Sequence, residues 1–339
     1  MLGQVDEELQ WGCRIRLPGE HPRATGPRSA KSSLDWMVAM RLPLPLVSVV
    51  TPSCNQGRYI EETIQSVQSQ EYPNLEHIIV DCGSDDDTIR ILREHEHAYA
   101  MRWVSEPDKG HADAVNKGFR MARGEIIGWL NSDDVYIDPS VVRTVVQVFR
   151  EHPEADVVYG DALHIGDDGT ILWVRCLPRF RYHRLQQWCF LEQPAVFLAK
   201  RVVDAYQLNE AMTGPIDYEY WLRIGRAYRF HHVPKVLAAD RDQPNRISVV
   251  RAEEMRVWAE QLRRQHGRGR GVWNWLTRFV DVILSGIPRR AKGLYVVVSL
   301  RRKHDWSFPR KWRSICRTLF SQLTQHRRVR SLAGTEEGC

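Results

Sequence analysis

Two adjacent carboxylates, Asp133 and Asp134, follow Asn131 and Ser132 at the end of an apolar run in "IIGWLNSDDVY". Carboxylate oxygens are hard donors, and a pair of them at a turn can hold Mg2+ or Mn2+ and, through the ion, a diphosphate. Solvated turn residues account for an isolated pair as well, because aspartate is common in turns. A second cluster closes the run "HIIVD", with Asp81 at its end and Ser84, Asp86 and Thr88 just beyond. A carboxylate fixed at a strand end can accept hydrogen bonds from a base or a ribose, and short neighbouring side chains leave room for the ligand. The same residues suit the N-terminal cap of a helix, so neither cluster identifies a site alone.

Such clusters need elements to position them. Residues 46–50 are short, apolar and β-branched; "TPSCNQG" supplies turn chemistry; Ile60, Ile64 and Val67 then recur at helical spacing. The order strand, loop, helix returns with "HIIVD", "CGSDDD" and "TIRILREH", and again with a strand at 101–104 and a helix at 112–122 that Gly124 closes. Apolar strands alternating with helices predict an α/β fold, a mostly parallel sheet covered on both faces, whose ligand site lies beyond the carboxyl ends of the strands. The polar clusters at 51–57, 81–88 and 131–134 all fall at such ends. Beyond residue 138 the pattern becomes α+β: a helix at 140–151, a strand "DVVYGDALHI", a hairpin "GDDGTILWV", a helix from "DYEYWLRIGRAY" and a last strand "RFHHVPKVLAAD".

Several classes of function lose their support. There is no G-x-x-x-x-G-K-[ST] loop and no G-x-G-x-x-G, which removes the main signals for an ATPase or a dehydrogenase. The seven cysteines are widely spaced and form no C-x-x-C pair, so the pattern signals neither a disulfide framework nor a zinc site, and a reducing compartment fits it. No run of 18 residues is free of charge, and the first 40 residues lack the parts of a secretory signal. The formal net charge of +6 conceals an asymmetry. Between residues 263 and 330 stand 18 Lys or Arg against two acids, which leaves 30 basic and 40 acidic residues elsewhere, an acidic body with a basic tail.

Three segments in order, "VSVVTPSCNQGRYIEETIQSVQSQEYPNLEHIIVDCGSDDDTIRIL", "SEPDKGHADAVNKGFRMARGEIIGWLNSDD" and "PIDYEYWLRI", resemble a non-processive family 2 glycosyltransferase of the GT-A fold, over roughly residues 45–247. The resemblance implies that Pro52, Asn55 and Asp81 line a nucleotide site, with Ser84 and Asp86 in the same loop. It places Lys109, Asp113 and Asn116 near nucleotide or sugar. Asp133 falls at the metal-binding position of the D-x-D motif, with Asp134 beside it, while Asn131 replaces the first acid and offers only an amide to the ribose. Cys82 and Asp87 depart from the usual D-D-G-S-x-D-G-T loop, and Gln243 stands where related chains often carry a histidine. Asp217 matches the acceptor-activating base, with Glu219 as second choice on another side of the helix.

The organisation expected is a disordered leader at 1–40, a GT-A domain at 41–250 with a nucleotide half at 41–135 and an acceptor half at 136–250, and a basic, aromatic helical tail at 251–339. Translation could equally begin at Met37 or Met40. In the tail, Val272, Trp275, Leu276, Phe279, Val280, Ile283 and Ile287 fall near one helical face among cations. That pattern suits an anionic membrane surface or an ordinary docked helix; no nucleic-acid motif accompanies the charge. The expectation is a cytoplasmic enzyme, peripheral at the membrane, that uses Mg2+ or Mn2+ to move sugar from a nucleoside diphosphate to a glycan or lipid-linked acceptor. Its rivals are a sugar nucleotidyltransferase and a non-catalytic scaffold of the same fold.

Overall fold

The computed structural model describes residues 43–244 and 246–267. The leader at 1–40 and the tail helix expected beyond residue 267 lie outside the described residues. The first half is built from β1 (Val47–Ser53), α1 (Ile60–Gln68), β2 (Leu75–Asp81), α2 (Thr88–His95), β3 (Met101–Ser105), α3 (His111–Met121) and β4 (Ile126–Trp129). β1 pairs in parallel with β2 and β4, and β2 with β3, which gives the order β3-β2-β1-β4. Alternation along β2 sends Ile78 and Val80 to the face covered by Val115 and Phe119 of α3, while Ile79 faces Ile60 and Ile64 of α1 and Ile91 and Leu92 of α2. Each such side chain contributes about 1.5–3 kcal/mol on burial. The absence of a side chain at Gly118 sets how closely α3 lies on β1: an added Cβ would come within 2.2 Å of Val50 Cγ1.

The second half contains β5 (Val135–Tyr136), α4 (Val141–Glu151), β6 (Val157–Gly166), β7 (Ile171–Arg175), α5 (Tyr182–Leu185), a 3-10 turn (Gln193–Ala195), β8 (Val196–Ala199), α6 (Lys200–Ala205), α7 (Ile216–Ile224), β9 (Phe230–Asp242), α8 (Ile247–Val250) and α9 (Ala252–His266). Here the sheet is mixed. β8 runs antiparallel between β4 and β6 and so joins the two halves, β6 and β9 are parallel, and β5 and β7 are antiparallel edges. Among the described residues no helix is long and apolar enough to cross a membrane.

The register places the site. Ser53 pairs with Asp81, Asp81 with Ser105, and Val50 with Trp129, so the loops after all four parallel strands emerge along one edge. α7 brings Asp217 to the same edge from the second half, and α9 is fixed beside it by Thr213 Oγ1, which donates to Glu254 Oε1 at 2.9 Å, and by the buried Leu262.

Candidate active site

A cleft of about 1000 Å³ opens at the strand ends, with Pro52, Lys109, Asn131, Asp133, Asp134 and Asp217 among its walls. The structure therefore brings together residues 165 positions apart in the sequence. Asn55, Asp81, Ser84, Asp86, Asp113, Asn116 and Glu219 do not line it.

Their polar atoms have protein partners instead. Asp81 is fully buried; its Oδ2 accepts from Gly83 N and Ser84 N, both at 2.9 Å, and from Ser105 Oγ at 2.7 Å, while Oδ1 accepts from Ser84 Oγ at 2.5 Å. Asn55, with φ of +53°, accepts from Asp85 N through Oδ1 at 3.0 Å, and its own N–H donates to Ser84 Oγ at 2.8 Å. Asp86 accepts from Gly57 N at 2.8 Å and Thr88 N at 2.9 Å. These residues brace the first two loops against each other. Asp113 accepts from Lys109 N at 3.0 Å and thereby sets the turn that puts Lys109 on the cleft; that hydrogen bond is the main reason its pKa is lowered. Asn116 is 1% exposed and clamps the 208–210 loop, accepting from Leu208 N at 2.9 Å and donating to Leu208 O and Glu210 Oε1 at 3.0 Å. Glu219 is held by Arg223, Nε to Oε1 at 2.6 Å, on another side of α7 from Asp217. These bonds hold the loops that border the cleft.

Asn131 behaves similarly. Its Oδ1 lies 3.0 Å from Trp129 Nε1 and 3.2 Å from His111 Nε2, and its Nδ2 donates to Gln193 Oε1 at 2.8 Å. An amide can donate and accept at once, which is what these three partners require and what the acid it replaces could not do.

The acidic floor is richer than the sequence suggested. Asp133 Oδ2 accepts from Gln243 Nε2 at 3.2 Å, so the residue at the missing-histidine position stands directly against the expected metal ligand. Asp134 is buried, and its Oδ1 accepts from Arg241 N at 3.0 Å. Asp240, at the end of β9, adds a third carboxylate, held by Arg246 with Nη2 to Oδ2 at 2.8 Å. Burial raises the pKa of Asp133, and burial together with the Asp133 and Asp240 carboxylates pushes Asp134 well above the ordinary range. Arg246 acts electrostatically on all three carboxylates, and hard oxygen donors of this kind are of the chemistry that suits Mg2+ or Mn2+. Beside them, His164, Glu192 and Asp240 each offer a ligand atom, all within 4.8 Å of one another. Arg175 is paired with Glu192 as Arg246 is with Asp240, which already balances much of that second set.

Asp217 stands half-buried at the start of α7, facing the cleft. Burial raises its pKa against the opposing effects of the Tyr218 N–H and Arg246. A carboxylate with a raised pKa is a stronger base, as proton removal from a hydroxyl requires.

One expectation is overturned. The cysteine spacing signals no disulfide, yet Cys54 and Cys82 are bonded, with Cα atoms 5.1 Å apart. Each follows directly on a paired strand end, Ser53 or Asp81, so the strand register brings them together across 28 residues of sequence. With this bond the cysteine pattern no longer argues for a reducing compartment. The bridge ties the first two loops at the rim of the cleft, which Cys54 lines. Cys82→Ser is expected to lower unfolding stability by about 2–4 kcal/mol. The denaturant midpoint of the variant should match that of the reduced parent.

The parallel half, the antiparallel bridge to a mixed second half and the acidic cleft at the strand ends define a protein of the GT-A class. The same fold occurs in the mannosyltransferase PcManGT of Pyrobaculum calidifontis, solved with GDP-Man and Mn2+: the TM-score is 0.53 at 18% identity, covering 89% of this chain and 90% of that one. Residues 48–204 match glycosyl transferase family 2. It is 28% identical to chondroitin synthase of Escherichia coli over 232 residues, 65% of this chain and 33% of the relative. It is 32% identical to the uncharacterized protein y4gI of Sinorhizobium fredii over 265 residues, 74% of this chain and 28% of the relative. The chain thus spans about a third or less of the length of these curated relatives.

Proposed function

We propose that the protein is an inverting, metal-dependent glycosyltransferase that moves a sugar from a nucleoside diphosphate donor to a glycan or lipid-linked acceptor at the cytoplasmic face of a membrane. The observation that carries this reading is that Asp133 and Asp217, from different halves of the fold, face one cleft. Pro52 and Lys109 wall the donor end, where the Lys109 ammonium offsets diphosphate charge. A divalent ion held by Asp133, with Asp134 and Asp240 alongside, would neutralise the leaving nucleoside diphosphate. Asp217 takes the proton of the acceptor hydroxyl as its oxygen attacks the anomeric carbon on the side opposite the leaving group, which inverts that carbon. The braced loops hold both ends in place before the donor arrives, so little ordering remains for the reaction itself.

A donor-hydrolysis screen across UDP, GDP and dTDP sugars, with Mn2+ or Mg2+ present, tests the reading. Release of nucleoside diphosphate from one donor, dependent on the ion, is expected; no release from any of them overturns it. For the membrane, the support is the basic tail and the aliphatic side chains of Ile247, Val249, Val250 and Val257, which stand 37–67% exposed on α8 and α9 where the tail begins. Removal of residues 268–339 is expected to release the protein from phosphatidylserine vesicles while α9 stays whole; unchanged binding in a flotation assay refutes the tail's role.

A further inference from the structure

The acceptor end of the cleft carries a row of arginines that the reaction above does not use. α9 turns Ala252, Met255, Arg256, Ala259 and Arg263 toward the cleft, a 3–4 residue spacing that marks one helical face, and Arg251 joins them from the preceding residue. The helix is seated rather than loosely attached. An added Cβ at Gly214 would meet Trp258 at 2.7 Å, and the segment containing Gly214 leads directly into α7 and Asp217. Arg263 also acts electrostatically on Tyr218, the residue next to Asp217. The arginine face and the candidate base line the same cleft.

The arginines differ in their partners. Arg256 is satisfied by Glu253, Nε to Oε2 at 2.9 Å, and Arg246 by Asp240 at 2.8 Å. Arg251 and Arg263 make no ion pair and no side-chain hydrogen bond with another described residue. Two guanidinium groups without a counter-ion among the described residues face a cleft whose floor holds Asp133, Asp134, Asp217 and Asp240. The floor's carboxylates repel an anionic acceptor, and the planar donors of the α9 wall place positive charge on the other side of the cleft.

We propose that Arg251 and Arg263 bind an anionic group of the acceptor, the carboxylate of an acidic sugar or the phosphate of a phosphodiester, while the acceptor hydroxyl meets Asp217. The inference rests on the glycosyltransferase reading for the identity of the ligand as acceptor. Bidentate contact to carboxylate or phosphate oxygens supplies both affinity and orientation, so the row selects acceptors by charge next to the reacting hydroxyl.

Calorimetric titration of the full chain with three probes tests it: an oligogalacturonate, its neutral methyl ester, and a glycerol-phosphate oligomer. At least one anionic probe is expected to bind about tenfold or more tightly than the ester, and the Arg251→Ala/Arg263→Ala double variant to lose about tenfold or more of that affinity. The preferred anion then assigns carboxylate or phosphate. Arg264→Ala, whose side chain pairs with Glu260 and does not line the cleft, is expected to bind like the parent and so controls for general attraction to the basic tail. Equal binding of the ester, parent-like binding by the double variant, an equal loss in Arg264→Ala, or no binding of either anion each overturns the proposal. Donor hydrolysis by the same preparation separates the two readings: hydrolysis without anion binding rejects the arginine site alone, and anion binding without hydrolysis of any donor rejects the transfer reaction alone.

Discussion

Asp217→Asn is expected to lower kcat for transfer by about 10²–10⁴-fold, the range a positioned general base contributes. The amide keeps the size of the side chain and cannot accept the acceptor's proton, so donor affinity should hold while turnover falls. Stability gives an independent check. Burial raises the Asp217 pKa, so the folded protein holds that proton more tightly than the unfolded chain does. The contribution is present below the ordinary aspartate pKa and is lost as pH rises through the raised value; at neutral pH the ionised carboxylate costs stability. The Asn variant should therefore unfold no more easily than the parent at pH 7, and any gain should shrink on acidification. In the parent, the acid limb of kcat/KM should lie above the ordinary aspartate range, and the residual rate of the variant should lack it. Glu219→Gln provides the contrast, since that carboxylate is turned to Arg223 and lies outside the cleft. Near-parent turnover by Asp217→Asn would remove Asp217 from the mechanism.

The parallel half was legible because local signals agree there. β-branched runs, turn residues and helical periodicity all give strand, loop and helix in the same places, and the strand ends then fix where polar clusters gather. Asp133 and Asp217 could be selected because each stands where a motif and an element boundary coincide. Asp240 could not, since it pairs with His164 only through the long β6–β9 register, across 76 residues. Its one local signal was an acid directly after the apolar "VLAA" of β9, a position that strand alternation alone does not mark as a site. The inward roles of Asp113 and Asn116 were hidden for a related reason. A polar residue on an amphipathic helix reads as surface unless its partner is known, and the partner of Asn116 lies 92 residues on, at Leu208. The Cys54–Cys82 bond likewise depends on which strands are neighbours, and spacing along the chain does not carry that information.

Asp133→Ala is expected to abolish ion-dependent turnover and to weaken Mn2+ binding by more than about 100-fold, above the loss typical for a residue that only supports a metal ligand. The fold should survive the change. Asp133 is half-buried, its side chain has one neutral hydrogen-bond partner in Gln243, and its ionised form is already disfavoured by burial. Asp134→Ala should in addition cost stability. That carboxylate is 2% exposed and satisfies the Arg241 N–H that fixes β9 beside the 131–134 turn, so its loss leaves a buried donor without a partner. A cost of about 1–3 kcal/mol in unfolding free energy follows. Mn2+ titration followed by its paramagnetic signal, run beside denaturant melts of both variants, separates the roles. Parent-like Mn2+ affinity in Asp133→Ala would move the ion to the neighbouring His164, Glu192 and Asp240 set. In that case Arg175 and Arg246 would have to give up their carboxylates to the metal, and substituting either arginine should tighten Mn2+ binding.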